Sequence, residues 1–280
     1  MQNCAKDSTK QGERCHKQLK QAADFLDAFG GMLVGEQLDA GLSLLFDAGD
    51  RPTAAGILKL LSGEDTAQTG FSVSHQPPEA EGWLQLLSSG LTFDLTGLSP
   101  ASSAPMPLIR QFLGLPENLD SYGFEVLVLK PGLHLRGAAA MMPVVRVMVA
   151  LASQLAEAFG ARAVCWHPAE CCMEARYFGR VAEDWLFGGP FPALGLTAIQ
   201  ERPDGGVESR GLTFFIGQEV QVEAQRREPT SETVKLAVRA IDYLVRNGPL
   251  HEPQQLDAPD GEVVTAEVAP GGKLVRVRRM

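Results

Sequence analysis

The stretch "YGFEVLVLK" (122–130) constrains the fold more than any other in the chain. Alternation points Phe124, Val126 and Val128 one way and Leu127 and Leu129 the other. A strand that is apolar on both faces belongs inside a sheet covered on both sides. The turn "KPG" follows, then a long helix of about 139–159 ended by Gly160, then the strand "ARAVCW". This strand–helix–strand unit fits a parallel crossover, with an antiparallel layout left open. The helix contains the most apolar run, "GAAAMMPVVRVMVALASQLA" (137–156). Pro143 and Arg146 interrupt it as a membrane span, so it reads as a buried helix, and no membrane partner is expected.

Around this unit the periodicity predicts an α+β fold: a mixed or antiparallel sheet packed by helices, an all-helical N-terminal segment (1–67), an α+β core (68–250), and a linker with a C-terminal β-hairpin (251–280). In the first segment Cys15, Leu19, Ala22, Leu26 and Phe29 form a helical stripe. "GEQLDAGLSLLFDAGD" reads as a second helix and "RPTAAGILKLLSGED" as a third. "TGFSVSH" and "LTFDLTG" are predicted strands, while "EAEGWLQLLSSG" and "LIRQFLG" read as short helices. "FPALGLTAIQE" and "ESRGLTFFIGQEVQVE" are predicted strands turning at "RPDGG", the second with a bulge at Gly217. "TSETVKLAVRAIDYLVRNGP" is a helix with Val234, Ala237, Ile241 and Leu244 on its buried stripe, stopped by Gly248 and Pro249. "HEPQQLDAPDGE" reads as a linker.

Charge removes one class of partner. The net charge is −9, which repels phosphate backbones, so nucleic acid is not expected; "KLVRVRR" at the end is a local exception. The N-terminus is polar and lacks the apolar stretch of a signal peptide. Five unevenly spaced cysteines then suit a reducing cytoplasm, the expected location, and not a disulfide scaffold.

Three of those cysteines fall in "AVCWHPAECCMEARYF" (163–178), which makes Cys165, His167, Cys171 and Cys172 the candidate metal or thiol site. "HPAE" reads as helix entry: His167 at the cap, Pro168 in the first helical position, Glu170 in the third. On that reading the cysteines are small core residues. A metal would use His167 and Cys171, four apart, with Glu170 and Glu174 near, but the second pair of a zinc knuckle is missing. A thiol enzyme would draw on the helix dipole to ionise Cys171 and on His167 as base. Adjacent Cys171 and Cys172 would point to different faces, and no C-x-x-C occurs, which weakens a redox reading.

Elsewhere, "GLHLRG" (132–137) places His134 and Arg136 at a strand-to-helix junction, a candidate ligand site. Glu219, Gln221 and Glu223 read as a solvated strand face. No dinucleotide, phosphate-loop, zincin or serine-hydrolase motif occurs, so no catalytic residue and no cofactor are expected.

"GFEVLVLKPG", the alanine-rich helix, "GARAVCWHPAE" and "ESRGLTFFIGQEVQVE" together resemble an uncharacterised bacterial domain-of-unknown-function family, over about residues 70–246. The resemblance implies a bacterial cytoplasmic protein and carries over no catalytic residue. The functional expectation is a non-enzymatic binding protein (adaptor, chaperone or immunity-type) whose partner is another protein. The alternative is a thiol- or metal-dependent enzyme centred on His167, Cys171 and Cys172. A small-molecule sensor using His134 and Arg136 is a third reading.

Overall fold

The strand that is apolar on both faces sits in the middle of an eight-stranded sheet. The computed structural model describes residues 40–62, 70–116, 123–225, 229–257 and 261–279, all within the unit Asp39–Met280. In chain order the elements are β1 (Leu42–Phe46), α1 (Ala54–Ser62), β2 (Ser72–His75), β3 (Trp83–Ser88), β4 (Leu91–Thr96), β5 (Gln111–Leu113), β6 (Glu125–Pro131), α2 (Met142–Phe159), β7 (Ala163–Trp166) and β8 (Cys171–Glu174). They continue as α3 (Ala175–Leu186), β9 (Ala198–Glu201), β10 (Val207–Arg210), β11 (Glu219–Val222), α4 (Thr230–Asn247), β12 (Gln254–Asp257), β13 (Val263–Val268) and β14 (Leu274–Arg279). The first sheet has the order β2-β3-β4-β6-β1-β7-β8-β5 and the second, of six strands, β12-β13-β14-β11-β10-β9. Neighbours are antiparallel except β5 with β8 and β11 with β14.

The mixed α+β class stands. β6 and β7 run in the same direction, and β1 is inserted antiparallel between them, pairing Leu44 with Leu127 on one side and with Val164 on the other. Helix α2 makes the crossover and ends where Gly160 turns its N–H back to the Ala156 carbonyl. By length and composition α2 is apolar enough to cross a membrane; here it covers the sheet, with Val145, Met148, Val149, Ala152 and Leu155 buried.

Several local expectations are corrected. "LSLLF" is not helix but β1, with all five residues buried. An aperiodic apolar run fits either state, and two flanking strands decide it. "WLQLLS" is β3, its buried Leu84 and Leu86 alternating on one face. "QFL" is β5, and the expected linker contains β12. The stretch 207–222 is two strands, β10 and β11, around the helical turn Thr213–Ile216, so Gly217 closes that turn instead of making a bulge. The terminal hairpin forms from β13 and β14, but β14 also pairs with β11, which makes it sheet interior and not a separate arm. The helix expected over 14–29 lies outside the described residues.

The first sheet buries different sets on its two faces. On the inner face Leu42, Leu44, Phe46, Leu127, Leu129, Val164, Trp166, Cys171 and Met173 join α2 and the second sheet in one apolar core. On the outer face Leu45, Val126, Val128, Ala163, Cys165 and Cys172 form a smaller cluster under Ala104, Ile109, Phe112, Leu115 and Phe124.

Candidate functional site

The stretch "CWHPAECC" is a hairpin, not helix entry. His167–Ala169 make a single 3₁₀ turn, with Pro168 fixing the φ of its second residue. Glu170 then takes the left-handed conformation at φ +52° and returns its N–H to the His167 carbonyl. The chain doubles back as β8 against β7. Helix α3 starts only at Ala175, where the Glu174 carboxylate accepts the Tyr177 N–H at 2.8 Å. The helix dipole invoked for Cys171 is therefore not at that thiol.

Register places the two outer-face cysteines together. Cys165 and Cys172 are direct cross-strand partners with Cα atoms 3.9 Å apart, and they form a disulfide. The expectation of free thiols fails at these two positions. Across the other edge of β7, Cys165 opposes Ser43 of β1. The fully buried Ser43 has its hydroxyl 2.8 Å from His167 Nε2. Just before β1, Gly41 makes room for that imidazole. A Cβ there would stand 3.0 Å from both His167 Nδ1 and Lys130 Cγ. Lys130 is in turn the cross-strand partner of Asp94, whose carboxylate accepts a hydrogen bond from the Gln85 amide. A polar row thus crosses the sheet beside the sulfur pair.

Cys171 faces away from this group. It sits in the inner core, with its sulfur 3.9 Å from the Leu194 carbonyl. Burial pushes the thiol up to about 12 from an ordinary 9.0. His167, Cys165 and Cys172 therefore share the outer face, while Cys171 lies across the sheet from them. Among the described residues no group of three or more His, Cys, Asp or Glu side chains is arranged to hold a metal ion. In the native protein at pH 8, Cys171 is expected to resist iodoacetamide and to react only after denaturation. The unfolded thiol ionises near 9.0 and the folded one near 12, so its burial favours the fold fully below about pH 9 and progressively less from there to about pH 12. Urea denaturation of wild type and Cys171→Ala across that range checks the sign: the difference in their stabilities should shift against wild type as pH rises.

The turn is also the seam between the two sheets. Glu170 Oε2 lies 2.5 Å from Arg110 Nε and 2.5 Å from Arg210 Nη1. Its carbonyl accepts the N–H groups of Arg110 and Gln111. Gln111 accepts the N–H of Ile199 through its side-chain oxygen, tying β5 to β9. Charge-assisted bonds of this kind hold a seam better than neutral ones. Ser43, Arg110 and Arg210 were missed by sequence reasoning. No local motif marks them, because each acquires its role from a residue far along the chain.

The other candidates lie elsewhere. His134 and Arg136 occupy the 3₁₀ segment Leu133–Ala138 between β6 and α2. His134 stands 3.4–3.5 Å from the Thr92 hydroxyl. The expected solvated face along Glu219, Gln221 and Glu223 is corrected in part: Glu223 is exposed, but Gln221 is buried. Glu219 accepts the Ser209 hydroxyl and the N–H groups of Leu212 and Thr213, closing the start of the 213–216 turn.

No protein-family model matches the chain, and neither a curated protein nor a solved structure matches it significantly.

Proposed function

We propose that this is a non-enzymatic binding protein, of the adaptor, chaperone or immunity type, and that its partner is another protein. The observation that carries the reading is the connection between β6 and α2. Leu133 is 70% exposed and Met141 48% exposed, with His134 and Arg136 between them. Large apolar side chains held in solvent beside a cation suit an apolar partner surface with an acidic rim. Bacterial origin, a cytoplasmic location and membership of the family that the chain resembles go with this reading as proposals. A thiol- or metal-dependent enzyme fits the geometry less well, since Cys171 is separated from His167 by the sheet and Cys172 is bonded to Cys165.

A photo-crosslinking residue at position 133 tests the reading in the organism's own extract. One defined protein should be captured, and the capture should be lost when Met141→Asp and Arg136→Glu are added, with the melting temperature unchanged. Failure to capture a defined protein, or capture indifferent to those two changes, would remove the reading.

A further inference from the structure

We propose that Cys165 and Cys172 are a reversible dithiol–disulfide couple, set by exchange with a small-molecule thiol and its disulfide, and not a permanent staple. The inference goes beyond the binding role and stands independently of it.

Three features carry it. The first is geometry. The two residues oppose each other on strands that are already hydrogen-bonded, so the dithiol and the disulfide are compatible with the same backbone. They are only seven residues apart, so the bond closes a short loop and restricts the unfolded chain less than a long-range bridge would.

The second feature is the surroundings. Cys165 lies between Cys172 and Ser43, and the Ser43 hydroxyl is held by His167 on the same outer face. The register sets the Ser43 hydroxyl, itself bonded to His167, next to Cys165 as a polar neighbour in an otherwise apolar cluster. Cys171 has only the apolar inner core and a carbonyl, and its thiol stays protonated.

The third feature is a cover. Ile109 and Phe112 pack over the cysteine cluster. Their segment is pinned by Ala104 N–H to the Val126 carbonyl, and by the N–H groups of Arg110 and Gln111 to the Glu170 carbonyl. Phe112 belongs to the edge strand β5 and stands opposite Cys172, so access to the sulfurs requires this segment to lift and β5 to peel from β8, while the other seven strands stay paired.

The exchange balances as follows. One protein thiol gives up its proton, and the thiolate attacks a sulfur of the small disulfide, forming a mixed disulfide and expelling one small thiolate, which is protonated. The second protein thiol loses its proton and attacks the protein-bound sulfur, closing Cys165–Cys172 and expelling the second small thiolate. Two protein thiols are oxidised and one small disulfide is reduced to two thiols. Ser43 and His167 act as positioning residues.

The test equilibrates the full chain in buffers of reduced and oxidised glutathione, quenches with acid, alkylates, and maps each cysteine by peptide mass. Mapping separates this pair from Cys4 and Cys15. Cys165 and Cys172 should pass together from alkylated to bonded within the series. In a parallel sample alkylated without denaturation, Cys171 should remain unmodified, which reports an intact fold. Ser43→Ala should shift the ratio at half-oxidation about tenfold, and Phe112→Ala should speed exchange about tenfold without moving that ratio. A disulfide that survives reduced glutathione alone, or one that never forms under oxidised glutathione, overturns the proposal. So does a half-oxidation ratio indifferent to Ser43→Ala in a protein that still protects Cys171. Should Ser43→Ala fail to fold, the wild-type series and Phe112→Ala decide the matter.

Discussion

Gly211→Ala is expected to destabilise the protein by about 2–5 kcal/mol, read as a fall in the urea midpoint with little change in slope. Two separate costs add. Gly211 has φ +85°, a conformation that costs an alanine about 1–2 kcal/mol. The new methyl would also stand 2.8 Å from Ala169 Cα, Ala169 Cβ and the Pro168 carbonyl oxygen. These are mostly backbone atoms of the turn that Glu170 locks between the sheets, so they have no rotamer by which to yield. Overpacking of this kind adds about 1–3 kcal/mol. Gly217→Ala is the control. Its φ is +73°, but nothing lies within 4 Å of the added carbon, so it should lose about 1–2 kcal/mol only. If the two variants are equally stable, the tight seam at Ala169 is not the cause.

Trp166→Ala should lose about 3–5 kcal/mol for the same reason that any large buried aromatic does, a lost transfer free energy plus a cavity. Trp166 is fully buried at the end of β7. Its ring stacks on Phe215 at a centroid distance of 6.0 Å and meets Phe214 edge-on at 5.4 Å. Those phenylalanines belong to the helical turn that follows Gly211, so the indole joins the first sheet to the second. Its Nε1–H finds no acceptor among the described residues. A buried donor without an acceptor costs about 1–3 kcal/mol, so Trp166→Phe removes packing and penalty together and should lose clearly less than Trp166→Ala. Chemical denaturation of the three proteins gives the order. A phenylalanine variant as unstable as the alanine variant would mean that the indole N–H is satisfied.

Local pattern accounts for much of what was legible. The two-faced β6, the crossover helix α2 with its Gly160 stop, the β9–β10 turn at "RPDGG" and helix α4 each follow from residues within a few positions of one another. The short apolar runs were not legible in the same way. "LSLLF" and "WLQLLS" carry no helical or strand period long enough to separate the two states, and both became strands because neighbouring strands satisfy their backbone. Glu219 looked like a surface carboxylate, since alternation with Val220 cannot reveal that a turn nearby needs its N–H groups capped.

The candidate site divides the same way. That Cys165, His167, Cys171 and Cys172 would lie close together was plain from their spacing. Which of them would meet was not. A hairpin and a helix place Cys171 and Cys172 differently with respect to Cys165, and the choice rests on Glu170 taking a left-handed turn that Arg110 and Arg210 hold from other parts of the chain. Ser43 reaches His167 across 124 residues of sequence. By itself the sequence determined a mixed fold built on a buried strand–helix–strand unit, because periodicity and turn chemistry act over one or two turns of chain. Only the tertiary structure decided the insertion of β1, the Cys165–Cys172 pair and the Ser43–His167 contact, because strand register is set by partners that the local sequence does not contain.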